Sequence, residues 1–274
     1  MTTDKKTAIA RFLNLTADFL SDGHRREREI PEPEYIQSMP SVNIPLANLP
    51  LAYQIDEEEE PPDYSTDISG DSLEAVAAEI RACKACGLAP TRTNAVPGEG
   101  VEHPLVMVIG EGPGADEDRA GRPFVGRAGQ LLDKMLQSIG LSRNNNCFIA
   151  NMVKCRPPGN RYPAPEEIAA CFPYLQRQIA LLRPKMILCA GRAAAQTLLK
   201  TSIGITALRG TFGEYRMNKS DGLSFEGNDD DIEETAIPVF CILHPSALLR
   251  DESQKRPTWE DLKLLKARLD SFKE

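Results

Sequence analysis

The residues of this 274-residue chain that could do chemistry are four of its cysteines, a histidine, an asparagine and a run of carboxylates. RACKAC carries Cys83 and Cys86 in a C-x-x-C pair, and Cys155 and Cys171 bracket the segment RPPGNRYPAPEEIAA. That segment is rich in proline and offers no obvious core face, so it needs an anchor at each end. Two sequence-near thiolates plus two from such a loop make a four-thiolate site, suited to zinc or to an iron–sulfur cluster. Spacing alone does not choose between them. Cys147, Cys189 and Cys241 lie instead in apolar runs (CFIANMV, MILCAG, VFCILHP) and read as small buried hydrophobes.

The carboxylates follow a glycine turn. In LVMVIGEGPGADED, Gly110, Gly112 and Ala115 match the spacing of a dinucleotide fingerprint. That fingerprint needs a helix N-terminus free to receive a diphosphate. Here the first turn carries Asp116, Glu117 and Asp118, which would repel one, and Pro113 removes a backbone N–H. No nucleotide cofactor is expected. The stretch reads as a strand end, a tight turn and a loop rich in acids, which is a place for catalysis.

Composition narrows the setting. No apolar run is long enough to span a membrane, and MTTDKKTAIARFLNL lacks the apolar core and cleavage site of a signal peptide. The expectation is a cytoplasmic protein without a membrane partner, in which cysteines bind metal or are buried rather than paired in disulfides. The net charge of −8 is uneven. Residues 1–75 carry −10, and residues 216–236 carry −5, which leaves the remaining core at +7. A basic core is compatible with a polyanionic partner.

These residues need elements to position them. TAIARFLNLTADFL places Ile9, Phe12, Leu13 and Leu20 at helical intervals, so a short amphipathic helix is expected within 1–23. Residues 24–70 are acidic and proline-rich and read as a disordered spacer. Order is expected from Asp71 to residue 274. Helix SLEAVAAEIRAC comes first, and then strands LVMVIG, NCFIANMV, KMILCAG and IPVFCILHP alternate with helices AGQLLDKMLQSIG, APEEIAACFPYLQRQIALLRP, RAAAQTLLK and TWEDLKLLKARLDSF. That order predicts an α/β fold: three α/β/α layers with a mostly parallel central sheet. Ligands in such sheets sit beyond the C-terminal strand ends. The rule selects GEGPGADED, NMVKC and HPSALLR.

GEGPGADEDRAGRPFVGRAGQLL, NMVKCRPPGNR and HPSALLR, with the four cysteines in order, strongly resemble the family 4 uracil-DNA glycosylases. The resemblance covers roughly residues 75–270 and leaves out the N-terminal extension, and the acidic insert 216–236 reads as extra length in a hairpin loop. It implies a 4Fe-4S cluster on Cys83, Cys86, Cys155 and Cys171, and excision of uracil from single- and double-stranded DNA. A glycosylase reaches the base by flipping it out of the stack. Phe124 is the candidate stacking platform. Asn151 offers a donor and an acceptor for uracil O4 and N3–H, the reverse of what cytosine needs. His244 is placed to donate to uracil O2 and stabilise the leaving base. Glu111 and Gly112 bring the turn against the base. Glu117 matches the family position that assists the sugar cation or water, with Asp116 and Asp118 as competing candidates. Ser246 fits a phosphate contact, Leu248 a wedge in the base stack, and Arg250, Lys255 and Arg256 the flanking phosphates. An iron–sulfur DNA-binding protein with little turnover is the second reading. A superfamily relative that traps the abasic sugar does so on a histidine in a short basic insert, and RAGRPFVGRAG has no histidine. The N-terminal extension is a candidate contact for a protein partner, and nothing demands more than a monomer.

Overall fold

A computed structural model describes residues 71–217 and 236–272, together with the dipeptides 66–67 and 223–224. All belong to the second of two units, Pro61–Glu274. The helix expected within 1–23, nearly all of the spacer over 24–70 and most of the insert 216–236 lie outside the described residues.

Helix α1 (Leu73–Ala82) starts where the Ser72 hydroxyl accepts a hydrogen bond from the Ala75 N–H at 3.1 Å, and it buries Val76 and Ile80. Strands β1 (Glu99–Gly100) and β2 (Val106–Gly110) lead to helices α2 (Ala115–Ala120) and α3 (Arg127–Ser138). Strand β3 (Cys147–Asn151), helix α4 (Pro165–Leu182), strand β4 (Met186–Ala190) and helix α5 (Arg192–Leu198) continue the alternation. The chain then forms α6 (Ile205–Leu208), β5 (Phe212–Arg216), β6 (Ala236–Ile242), α7 (Pro245–Arg250) and α8 (Lys255–Asp270).

These strands form a six-stranded sheet in the order β1-β3-β2-β4-β6-β5, and the dipeptides Thr66–Asp67 and Leu223–Ser224 pair apart from it as a short parallel ladder. The four central strands run parallel, and the two edges are antiparallel. All residues of β2, β3 and β4 are buried, as expected of parallel strands covered on both faces. Alternate residues enter two separate cores. Val106, Val108, Ile149 and Leu188 pack with Leu132 and Leu136 of α3 and Leu262 and Leu265 of α8. Met107, Ile109, Ala150 and Ile187 pack with Leu175 and Ile179 of α4 and the alanines of α5. The α/β/α layering is therefore a consequence of the two-residue strand period. β5 and β6 pair as an antiparallel hairpin, with residues 217–235 between them in the sequence.

β3 and β4 lie on opposite sides of β2. The chain reverses its direction of travel across the sheet at β2, and the adjoining C-terminal ends frame a crevice.

Candidate functional site

A cleft of about 520 Å³ opens at those ends. Its walls include Glu111, Gly112 and Glu117 after β2, Asn151 at the end of β3, Arg192 after β4, and His244, Ser246 and Arg250 after β6. Phe124 lines it as well. The structure thus gathers most of the expected residues from three separate stretches of sequence, those that follow or end β2, β3 and β6.

Asn151 is 1% exposed, and its Oδ1 has no hydrogen-bond partner. A buried acceptor without a donor is costly unless a ligand supplies one. The Phe124 ring lies beside it, and both crowd against Gly110. A Cβ built on Gly110 would stand 2.5 Å from Asn151 Oδ1 and 2.5 Å from Phe124 Cζ. Phe124 holds a left-handed backbone, with φ 52°. Such a conformation persists only when neighbours impose it. Gly129 lets α3 approach: a Cβ there would be 1.9 Å from the Phe124 carbonyl oxygen. Arg143 donates to the carbonyls of Pro123 and Phe124, at 2.9 Å each, and its guanidinium is held by Asp133.

His244 sits at the N-cap of α7, its ring centroid 5.7 Å from that of Phe124. The Ser246 N–H donates to His244 Nδ1 at 3.2 Å. A nitrogen that accepts from an N–H carries a lone pair, so the ring proton of the neutral imidazole is on Nε2. Burial, with the Arg250 charge nearby, pushes the imidazole pKa down to about 4, so it is neutral at physiological pH. Ser246 Oγ stands 2.8 Å from the same Nδ1 and receives Arg250 Nη1 at 3.3 Å. The serine thus orients the histidine, whatever else it contacts.

The acids divide sharply. Asp118 is buried away from the cleft, accepting from the Thr93 N–H at 2.9 Å, and Asp116 faces solvent beside Arg119. Glu117 Oε1 accepts from the N–H groups of Val125 at 2.9 Å and Gly126 at 2.8 Å, and Oε2 from Gly114 at 3.1 Å. It caps α2 and ties that helix to the start of α3. Glu111 is half-buried, and desolvation raises its pKa above the usual carboxylate value against the pull of Arg192 and Arg250.

Cys83, Cys86, Cys155 and Cys171 line a second, much smaller cavity with Arg92, Lys154 and Tyr174. Three sulfurs receive donors: Cys83 from the Ala85 N–H at 3.4 Å, Cys155 from Arg92 Nη1 at 3.0 Å, and Cys171 from the Lys154 N–H at 3.2 Å. Burial pushes the Cys171 thiol up to about 11, a penalty that a bound cationic centre would offset. Among the described residues, no three His, Cys, Asp or Glu side chains converge tightly enough to grip a single ion. All four thiols line this one cavity.

α1, which leads to Cys83, is anchored to α4, which carries Cys171. Arg177 binds Asp71 at 2.7 Å and Glu79 at 2.8 Å. Between Cys155 and Cys171 the proline-rich loop turns back, and Pro157, Asn160 and Arg161 form one wall of the main cleft.

One sequence expectation is overturned and two fall away from the cleft. Leu248 is 2% exposed and packs in the core with Leu262 and Leu265, because that face of α7 lies on α3. A side chain so placed does not reach a base stack, whereas Leu249 is 37% exposed. Lys255 and Arg256 open α8 outside the cleft, and Lys255 pairs with Glu252 at 2.7 Å. Two charged side chains in the lining are new. Arg161 is held by Glu167 at 2.6 Å, and the Arg192 guanidinium lies 4.2 Å from the Tyr162 ring centroid. Two arginines after a strand or in a loop carried no periodic signal that could have singled them out.

Cys147, Cys189 and Cys241 are all fully buried in strands. Among the described residues, no helix is long and apolar enough to cross a membrane.

Comparison with known proteins bears on this geometry. The family described as the uracil DNA glycosylase superfamily matches residues 97–263. The type-4 uracil-DNA glycosylase of Sulfurisphaera tokodaii is 41% identical over 201 residues, covering 72% of this chain and 84% of that protein. The Thermotoga maritima protein of the same name is 40% identical over 198 residues, covering 71% of this chain and 93% of its own. A type-4 enzyme of Archaeoglobus fulgidus is 41% identical over 181 residues, covering 65% and 84%. With the sheet order, the cleft and the cysteine quartet in place, this chain belongs to the type-4 family of the uracil-DNA glycosylase superfamily.

Proposed function

We propose that the cleft receives a uracil nucleotide flipped out of single- or double-stranded DNA and hydrolyses its N-glycosidic bond, leaving an abasic site. The observation that carries this reading is the buried, unpartnered Oδ1 of Asn151 lining the cleft beside Phe124. Uracil offers an N3–H to that acceptor and an O4 to the same amide's N–H. Cytosine presents an acceptor and a donor at those atoms, which leaves both halves of the amide unpaired.

The chemistry follows from the groups around it. The bond from C1′ to N1 breaks with its electron pair passing to the base, and a water oxygen bonds to C1′. The water gives up one proton and the departing base takes one, so the products are free uracil and an abasic sugar. Phe124 provides a flat face for the flipped base. Neutral His244 donates from Nε2 to O2, where negative charge grows. Glu117 supplies a fixed negative charge near the sugar. Its Oε1 has both lone pairs engaged, while Oε2 accepts from Gly114 alone and keeps one lone pair for the attacking water. Glu111 and Gly112 close the turn against the base, and half-buried Glu111 is the second acid within reach of the sugar. Arg161, Arg192 and Arg250 suit the phosphates of the flipped nucleotide, with Ser246 beside them. Lys255 and Arg256 suit phosphates farther along the duplex, and exposed Leu249 takes the wedge role from Leu248.

The cysteine quartet suits a 4Fe-4S cluster. All four thiols line one cavity, and four thiolates are the donor set that such a cluster takes. Such a cluster would fix the two ends of the proline-rich loop and so its wall of the cleft. Cys171→Ala is expected to abolish the cluster's visible absorbance and lower the melting temperature; retained absorbance would contradict the ligand set. On this reading residues 71–274 are the catalytic domain of a monomeric, cytoplasmic repair enzyme, and residues 1–70 are a candidate contact for a protein partner.

Gly110→Ala is expected to displace Asn151 or Phe124 and to cost about 10²-fold in single-turnover excision, the usual penalty for an ångström-scale misplacement. Excision at the wild-type rate would show that the crowding at Gly110 does not set the site.

Base recognition is tested separately from catalysis by affinity. The fluorine of 2′-fluoro-2′-deoxyuridine disfavours the sugar cation, so the nucleotide binds without being cleaved. A duplex carrying it should bind on the order of tenfold or more tighter than one carrying 2′-fluoro-2′-deoxycytidine. Equal affinities would contradict the reading of Asn151.

A further inference from the structure

Lys154 lies between the two sites: it lines the thiol cavity but not the main cleft. It is 1% exposed. Its Nζ donates to the Asn151 carbonyl at 2.9 Å and to Gln178 Oε1 at 2.8 Å. Gln178, also 1% exposed, is fixed in turn by donating to the Pro97 carbonyl at 2.9 Å. The lysine backbone is held at both ends, its N–H on Cys171 Sγ and its carbonyl accepting from the Val96 N–H at 2.8 Å.

An apolar side chain of the same length would fill this space without the cost of burying an ammonium. The bond to Asn151 explains the choice. Edge strand β1 pairs with β3 only as far as Ile149, so the next outward-facing carbonyl, that of Asn151, has no strand neighbour. Lys154 replaces that neighbour. The Asn151 Oδ1 has no hydrogen-bond partner within the protein, so the path of its backbone and packing against Gly110 place the amide.

We infer that Lys154 is a positioning residue for base reading, whose ammonium holds the Asn151 carbonyl and thereby places the Asn151 amide in the cleft. The inference rests on the proposed role of Asn151. It ties the thiolate loop to uracil recognition through one side chain.

A double-mutant cycle tests it. Lys154→Met should lower single-turnover excision of uracil on the order of tenfold or more, but less than about threefold in an Asn151→Ala background, because coupled residues are not additive. Lys154→Met should also weaken binding to the 2′-fluoro-2′-deoxyuridine duplex while leaving affinity for an undamaged duplex and the visible absorbance unchanged. Equal losses in both backgrounds, equal weakening on both duplexes, or loss of the absorbance would overturn the inference and make the lysine a support of the thiolate site alone. If Lys154→Met does not fold, Gln178→Leu, which frees the ammonium from its second acceptor, is put through the same cycle. Dependence of its effect on Asn151 supports the inference, and additivity overturns it. Failure of Asn151→Ala to lower excision would instead strike the base-reading role itself, so the two failures are distinguishable.

Discussion

Replacing Asn151 with aspartate is expected to cut uracil excision on the order of 10³-fold or more, the scale on which sites built from paired donors and acceptors reject a mismatch. The substitution keeps size and shape and changes only the hydrogen-bond pattern. A carboxylate has no N–H for uracil O4, and its negative charge lies next to a base that is itself becoming an anion. Asn151 is 1% exposed, so little water is present to screen the repulsion. The crowding at Gly110 leaves no room for the side chain to turn away. Single-turnover kinetics, with the melting temperature as a control for folding, measure the effect. Excision at the wild-type rate would remove Asn151 from recognition.

The second large effect is expected at His244. His244→Ala removes the proposed donor to O2 and should cost about 10²- to 10³-fold in kcat, the usual toll for deleting one donor to a developing anion. KM should change little, because the bond strengthens only as charge leaves the sugar. The pH profile carries a further sign. With its pKa pushed down to about 4, the imidazole is neutral across the working range and adds no inflection near 6.5. The stability it contributes is complete above 6.5, the unfolded value, and is lost as pH falls from there through about 4. An activity profile that dropped as the pH rose through 6.5, and lost that drop in His244→Ala, would show a protonated histidine at work instead.

The central strands were legible because each is buried on both faces and reads as an unbroken apolar run. The edge strands were not. β1 is two residues long, and β5 (FGEYR) exposes most of its side chains, so neither makes such a run. Helix α2 is six residues of ADEDRA and has no apolar face to detect. What holds it is Glu117, bonded to backbone N–H groups on both sides of the Phe124 loop. The acid was visible in the sequence; its structural task was not. The same limit explains Leu248. Over the six residues of α7 the period does not say which of two adjacent leucines faces the core, and packing on α3 chose Leu248. Asn151 and His244 were legible since each ends an apolar strand at the edge where such sheets bind ligands. Arg161 and Arg192 were not, because the path of a proline-rich loop and the stacking of Arg192 on Tyr162 are decided by tertiary contacts.

The most direct test of the central claim is strand cleavage by alkali after incubation of the purified protein with a labelled oligonucleotide carrying one uracil, beside a cytosine control. Alkali breaks the strand only where a base has been removed. Breakage at uracil and not at cytosine, with more sites processed than protein molecules present, is the predicted result. An intact uracil strand, with the cluster's absorbance undiminished, would contradict it and leave an iron–sulfur protein that binds DNA without turnover.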